Sequence, residues 1–109
     1  MITEAQIQAI VARIVTGYAP DKIILFGLYA HGTPTENSDL DLLIIKQNAK
    51  VRRSERSIMV RQLLWGTDAP AMDISIRMPV EIKRAAGIAY SVETIALEKG
   101  HMLYANTNS

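Results

Sequence analysis

The chain predicts a single α/β domain, and three observations support this. Apolar stretches with helical spacing are interleaved with short apolar runs of strand length. Ile23–Ile45 holds two such runs, divided by a glycine turn and a polar loop. Met72–Arg77 alternates Met72, Ile74 and Ile76 with Asp73, Ser75 and Arg77, the period-two pattern of a strand with one apolar face. At 109 residues the chain has the size of one domain, residues 1–109, with one modest core.

Each element follows from local chemistry. Thr3 to Gln6 reads as a capping box, and Ile7, Ile10, Val11, Ile14, Val15 and Tyr18 form one apolar stripe behind it. The expected helix runs from about Glu4 to Thr16, with Gly17 and Pro20 as stop signals. Lys22–Phe26 is a strand bounded by Pro20 and Gly27. Leu28–His31 reads as a helical turn and 32–37 as a polar loop around Pro34. Leu40–Ile45 is apolar almost throughout, as for a strand covered on both faces. Lys46–Arg53 is a polar, basic loop or helix start. Ser54–Trp65 predicts a helix with Ile58, Leu63, Leu64 and Trp65 in the core, closed by Gly66. Met72–Arg77 is the third strand. Pro79 opens a short helix to about Ala86. Ser91 caps a last helix, Val92–Lys99, which Gly100 ends. Met102–Tyr104 is expected as an edge strand and Ala105–Ser109 as a frayed tail.

Composition narrows the classes. Hydrophobic residues make up 49% and charged residues 21%, ordinary for a globular protein. A net charge of +1 provides no strong field for nucleic acid, so direct nucleic-acid binding is not expected. With no cysteine, disulfides and thiolate metal sites are excluded, and a reducing, cytoplasmic location fits. No segment has the length of a membrane span, and MITEAQIQ lacks the features of a signal peptide.

The candidate chemistry lies at Asp39 and Asp41. Two residues apart in a strand, they aim at one side while Leu40 points into the core. Such a pair also suits a turn cap beside a solvated strand-end charge. Context favours chemistry. Gly27 follows an apolar strand, where a turn can bring backbone N–H groups to an anion. Asp73 sits on the polar face of a third strand and approaches the other two if the strands are neighbours. Three clustered carboxylates repel one another unless a cation lies among them. Mg²⁺ takes oxygen ligands and keeps phosphate oxygens and waters as partners. Two such ions about 4 Å apart can activate an attacking oxygen and stabilise a leaving one. Elsewhere, Lys50, Arg52, Arg53, Arg56 and Arg61 read as the solvated face of a helix, interrupted by Glu55. His31 and His101 read as loop or surface residues, and Ser38 as a cap where the second strand begins.

Gly27-Leu28, ten residues, then Asp39-Leu40-Asp41 resembles the G-S-x10-D-x-D signature of the DNA polymerase beta-like nucleotidyltransferases. The chain is most similar to their minimal nucleotidyltransferase branch, small cytoplasmic proteins paired with HEPN-domain partners. Ser91–Tyr104 resembles that branch's closing helix and strand. The resemblance implies a small mixed sheet of three to four strands flanked by helices. It implies transfer of a nucleoside monophosphate, AMP from ATP as substrate, to a hydroxyl. Asp39 and Asp41 would hold Mg²⁺, with two ions expected, and Asp73 would be a third ligand and the base. Gly27 and Leu28 would hold the triphosphate, with Ser38 in support. The implied acceptor is a tyrosine of a HEPN-domain toxin, bound in a hetero-oligomer and silenced by AMPylation, which makes the chain an antitoxin. Two positions depart from the pattern: Leu28 replaces the motif serine, and His31 stands where a basic residue is frequent. A non-catalytic module that neutralises its partner by capture is the competing expectation, and a small-molecule acceptor such as an aminoglycoside a third.

Overall fold

The computed structural model describes residues 1–106. Helix α1 (Glu4–Tyr18) opens on the expected capping box: Thr3 Oγ1 accepts from the Gln6 N–H and Gln6 Oε1 from the Thr3 N–H. It runs two residues past the expected stop at Thr16. Gly17 does not end the helix; a Cβ there would overlap the Leu63 side chain, so this glycine lets a second helix approach. The stop is Ala19, in the left-handed region at φ 53°, ahead of Pro20. Lys46 Nζ caps the end, donating to the carbonyls of Tyr18 at 2.8 Å and Ala19 at 3.0 Å.

Strands β1 (Lys22–Phe26), β2 (Leu40–Ile45), β3 (Met72–Arg77) and β4 (His101–Ala105) form one mixed sheet in the order β3-β2-β1-β4. β1 is antiparallel to both neighbours, whereas β2 and β3 run parallel. Between β1 and β2 lies the four-residue helix α2 (Leu28–His31). The edge strand β4 confirms the expected closing strand and extends to Ala105. Asn106, expected in the frayed tail, donates its N–H to Asp21 O at 2.7 Å. The rest of that tail, 107–109, lies outside the described residues.

The sheet has two cores. Ile23, Leu25, Leu40, Leu42, Ile44, Ile74 and Ile76 face α1 and helix α3 (Arg56–Leu63), which a short 3₁₀ turn precedes at Arg53–Glu55. Ile24, Phe26, Leu43 and Ile45 face α4 (Pro79–Ala85) and α5 (Val92–Lys99), meeting Ile82, Ile95 and Ala96. Proline at the first position of α4 and the Ser91 cap of α5, which accepts from Thr94 N–H at 3.1 Å, are as expected.

Helix α3 corrects two expected core positions. Its inward residues are Arg56, Val60 and Leu64, spaced four apart; Ile58 falls outside that phase and is 50% exposed. Trp65 lies beyond the helix, in the turn, 72% exposed. Leu64 is buried and Leu63 packs at the core's margin, as expected.

Arg56 is the second correction, since it is no solvated residue of a basic face. It is 4% exposed and forms a two-armed pair with Glu81, Nη1–Oε1 2.5 Å and Nη2–Oε2 3.2 Å. It also donates to the carbonyls of Val51 and Ile76, both at 3.1 Å. Glu81 in turn accepts the Met78 N–H at 2.7 Å. Beside this pair, buried Glu93 accepts from Arg77 Nε at 2.7 Å and Arg53 Nη2 at 3.1 Å. These pairs fasten α3, β3, α4 and α5 to one another.

The Arg56 hydrogen bond chiefly holds the Glu81 carboxyl below its ordinary range. For Glu93, burial pushes the carboxyl up and is outweighed by its own backbone N–H and by Arg77 and Arg53. A lowered folded value means stability that is full above the ordinary value of 4.5 and is lost as pH falls through the folded value. Thermal melts should therefore weaken progressively below about pH 4.5, and Glu81→Gln should flatten that dependence. Arg56→Ala leaves a carboxylate buried without its partner and should cost about 3–5 kcal/mol in a denaturant titration. Arg56→Lys should recover only part of this, because an ammonium cannot form the two-armed contact.

Candidate active site

β1 delivers the chain to Gly27, whose φ of +74° belongs to the region that glycine favours. A Cβ at this position would also overlap Asp41 Oδ2. Two separate constraints thus demand glycine: the turn out of β1 and the carboxylate lying against it. After the turn, the N–H groups of Ala30 and His31 bond back to Gly27 O at 3.0 and 3.2 Å. The first-turn N–H groups of Leu28 and Tyr29 fall outside this pattern, as first-turn donors do.

The register sets the carboxylates. Asp41 pairs with Phe26 on β1 and with Asp73 on β3. Cross-strand partners in one row share a face, with strands about 4.8 Å apart. Asp41 and Asp73 therefore project together on the α5 side of the sheet. α5 packs over β1 and β2 and meets β3 through the Glu93–Arg77 pair, at the end remote from Asp73. Asp39 lies just outside β2, and Leu40 is fully buried, as the alternation predicts. Asp39 and Asp73 are exposed and Asp41 is half-buried. Burial pushes the Asp41 carboxyl above its ordinary range, and the charges of Asp73 and Asp39 push it further. The sequence-predicted trio is brought together, with Asp41 as the member that feels the other two.

A divalent cation fits this donor set. The oxygens are hard, and a cation among them offsets the mutual repulsion that raises Asp41. Among the described residues no group of three or more His, Cys, Asp or Glu side chains is placed to hold a metal ion by itself. A cation such as Mg²⁺ would therefore have to complete its shell with waters and phosphate oxygens.

The remaining predicted residues sit around this centre. Leu28 is 48% exposed at the start of α2 and presents no hydroxyl. Ser38 is placed just before Asp39, but its hydroxyl is engaged within the loop: it accepts the Thr35 N–H at 2.9 Å and lies 3.3 Å from Thr35 Oγ1. His31 is exposed at the end of α2. His101, read from sequence as loop or surface, is an exposed β4 residue whose ring N–H donates to Ala30 O at 2.6 Å, bracing α2. Seventy-one residues separate the two, and only the β1–β4 pairing brings them together, so no local signal marks the contact. A cleft of about 660 Å³ lies elsewhere, between α1 and the turn after α3. Its lining of Ala9, Ile10, Gly17, Leu63 and Pro70 is mainly apolar and gathers none of the three aspartates.

Residues 5–98 match the nucleotidyltransferase domain family. A Methanocaldococcus jannaschii protein named "putative protein adenylyltransferase" is 50% identical over 42 residues, covering 38% of this chain and 29% of that protein. The match thus spans under a third of that relative. The crystal structure of a "putative nucleotidyltransferase" from Sulfolobus solfataricus superposes with a TM-score of 0.64 over 96% of this chain and 82% of its own, at 16% identity, a likeness of fold. With the family matched across most of its length and the aspartates grouped beside the glycine turn, the chain belongs to the nucleotidyltransferase domain family.

Proposed function

We propose that the chain is a divalent-cation-dependent adenylyltransferase that moves AMP from ATP to a tyrosine hydroxyl of a HEPN-domain toxin, and so acts as its antitoxin in a cytoplasmic hetero-oligomer. The observation that carries the transferase part is the row Asp41–Asp73, with Asp39 beside it, against the Gly27 turn. The name of the archaeal relative supports a protein acceptor. The HEPN partner rests on the resemblance of the motif and of the closing helix and strand.

In this reaction the acceptor oxygen forms a bond to the α-phosphorus, and the bond from that phosphorus to pyrophosphate breaks. Asp39 and Asp41, with Asp73 as a third ligand, would hold Mg²⁺, which would supply charge neutralisation for the phosphates and for the leaving oxygen. Asp73, the exposed carboxylate on the outer strand, takes the proton from the acceptor hydroxyl. The N–H groups at the start of α2 bind the triphosphate where the Gly27 turn has no side chain to obstruct it. His101 keeps α2 in place through Ala30.

Leu28 favours a second reading, in which the site is catalytically weak and the chain neutralises its partner by binding. An exposed leucine cannot bond a phosphate oxygen through its side chain. One lost hydrogen bond to a charged group costs about 1.5–3 kcal/mol, or roughly 10- to 150-fold.

Transfer is read by the intact mass of a co-expressed HEPN partner, where each AMP adds one discrete step. Asp39→Asn or Asp41→Asn should abolish that step; an unmodified partner that the double variant still neutralises would decide for capture. Leu28→Ser should raise kcat/KM for ATP, by up to roughly 10- to 150-fold if the hydroxyl restores the full bond. Gly27→Ala should cost more than about 1 kcal/mol of stability and suppress transfer, since it strains φ and displaces Asp41.

The raised Asp41 carboxyl fixes a further sign. The folded, metal-free chain holds this proton more tightly than the unfolded chain, so stability falls as pH rises through the ordinary value of 3.8 to the higher folded value. At neutral pH with chelator present, Asp41→Asn should therefore melt above the parent chain. Added Mg²⁺ should raise the parent and leave the variant nearly unmoved.

A further inference from the structure

β3 is the outer strand of the sheet, with β2 on one side and, among the described residues, no strand on the other. Ala71 O and Arg77 O accept from Leu40 N–H and Lys46 N–H, so the odd-numbered positions turn their backbone groups toward β2. Met72, Ile74 and Ile76 turn theirs outward. Two of the outward carbonyls are already taken. Met72 O accepts from Arg61 Nη2 at 3.1 Å, and Ile76 O from Arg56 Nη1 at 3.1 Å and Arg77 Nη1 at 3.0 Å. Ile76 is also buried at 2% exposure beneath Arg56, so what the edge still offers is the N–H groups of Met72 and Ile74 and the carbonyl of Ile74.

Two clefts follow this edge and share Ile74. One, about 510 Å³, is bordered by Arg52, Arg53, Ser54 and Ser57; the other, about 250 Å³, by Arg61 and Trp65. The groove is therefore rich in donors and positively charged, with an exposed tryptophan at one end. Edge strands are commonly blunted by proline, a bulge or an inward charge. β3 has neither proline nor bulge, its register with β2 is unbroken, and the buried charge of Arg56 covers the Ile76 end alone. Asp73 lies on this same strand, its carboxylate on the open face beside Asp41.

We propose that the free edge of β3 is the docking site of the acceptor protein, which adds an extended, acidic segment as a further strand and so delivers its hydroxyl residue to Asp73. This rests on the assignment of a protein acceptor above. An extended segment supplies carbonyls to the N–H groups of Met72 and Ile74, the recognition mode of strand addition. Acidic side chains meet Arg52 near the far end of β3, where Arg53 is already paired with Glu93. Asp73 and Arg77 are four residues apart, or about 13 Å at roughly 3.3 Å per residue, so a hydroxyl residue at Asp73 and an acidic residue three or four positions away engage both ends.

The test is amide hydrogen exchange on the full chain with a short synthetic acidic peptide carrying one central tyrosine, while the emission of Trp65, the single tryptophan, is followed. Peptide should slow exchange at Met72 and Ile74 and shift Trp65 emission to the blue. The same peptide methylated on its backbone nitrogens and a lysine version should do neither. Arg52→Glu should weaken binding about fivefold. Equal binding by the methylated and parent peptides overturns strand addition. So does AMP transfer to an acceptor protein without protection of these amides, an outcome that leaves the transferase assignment standing. Protection of the free chain that grows with its concentration places a second copy on the edge and also overturns the proposal. Protection by the peptide without any transfer to it supports the docking site and counts against the enzymatic reading alone.

Discussion

β2 sends five side chains into two cores and one carboxylate into neither. Leu40, Leu42 and Ile44 pack under α1 and α3, Leu43 and Ile45 pack toward α5, and Asp41 alone is half-buried. The register cannot slip by one residue without exchanging the two faces, which would bury Asp41 and expose a core leucine. Hydrophobic burial of β2 therefore aims the carboxylate. Once β2 is locked, its pairing with β1 lays Asp41 against Gly27, and its pairing with β3 sets Asp73 in the same row. The geometry of the site is thus a consequence of packing, while its charge repulsion opposes folding. Retention of so costly a group at the centre of the sheet is the pattern of a functional residue.

The outer strand needs more support than β2, because it has a neighbour on one side only. Arg56 and Glu93 provide it. Arg56 reaches from α3 to the Ile76 carbonyl and to Glu81 on α4, and Glu93 on α5 holds Arg77 at the end of β3. Each charge is nearly buried, so each depends on its partner being present. These pairs brace the end of β3 remote from Asp73, leaving the Asp73 end open to substrate. Rigidity and access are divided between the two ends of one strand.

What was legible in the sequence is what depends on local period. Asp39, Asp41 and Asp73 announced their faces through alternation with Leu40, Leu42, Ile74 and Ile76, and the Thr3 and Ser91 caps marked their helices directly. The errors share a different cause. Gly17 resembled a stop because its role, admitting Leu63, is set by a residue far along the chain. Ile58 and Trp65 resembled core because they are apolar, whereas the phase of α3 is fixed by Arg56 meeting Glu81. Arg56 was hidden in a basic run, since nothing local distinguishes a buried arginine from a solvated one. The contact of His101 with Ala30 depends wholly on strand pairing. Local chemistry specified the carboxylates, and tertiary contacts specified what braces them.

The exposure of Asp39 and Asp73 bears on how a nucleotidyl transfer could work here. In water, charges a few ångströms apart interact weakly, and the same pair interacts several-fold more strongly once solvent is excluded. An open site therefore does little to stabilise the charge that develops on a leaving pyrophosphate, and leaves water as a competing acceptor. A macromolecular acceptor that covers the β3 end would change both conditions at once, by displacing solvent and by presenting its own hydroxyl to Asp73. Leu28 fits that arrangement better than it fits an isolated enzyme. An apolar side chain at the mouth of the Gly27 turn contributes nothing to free phosphate, but it can be buried by an incoming partner surface. In the proposed reaction, specificity for the acceptor then follows from the weakness of the uncovered site: transfer becomes fast only when the correct partner completes it.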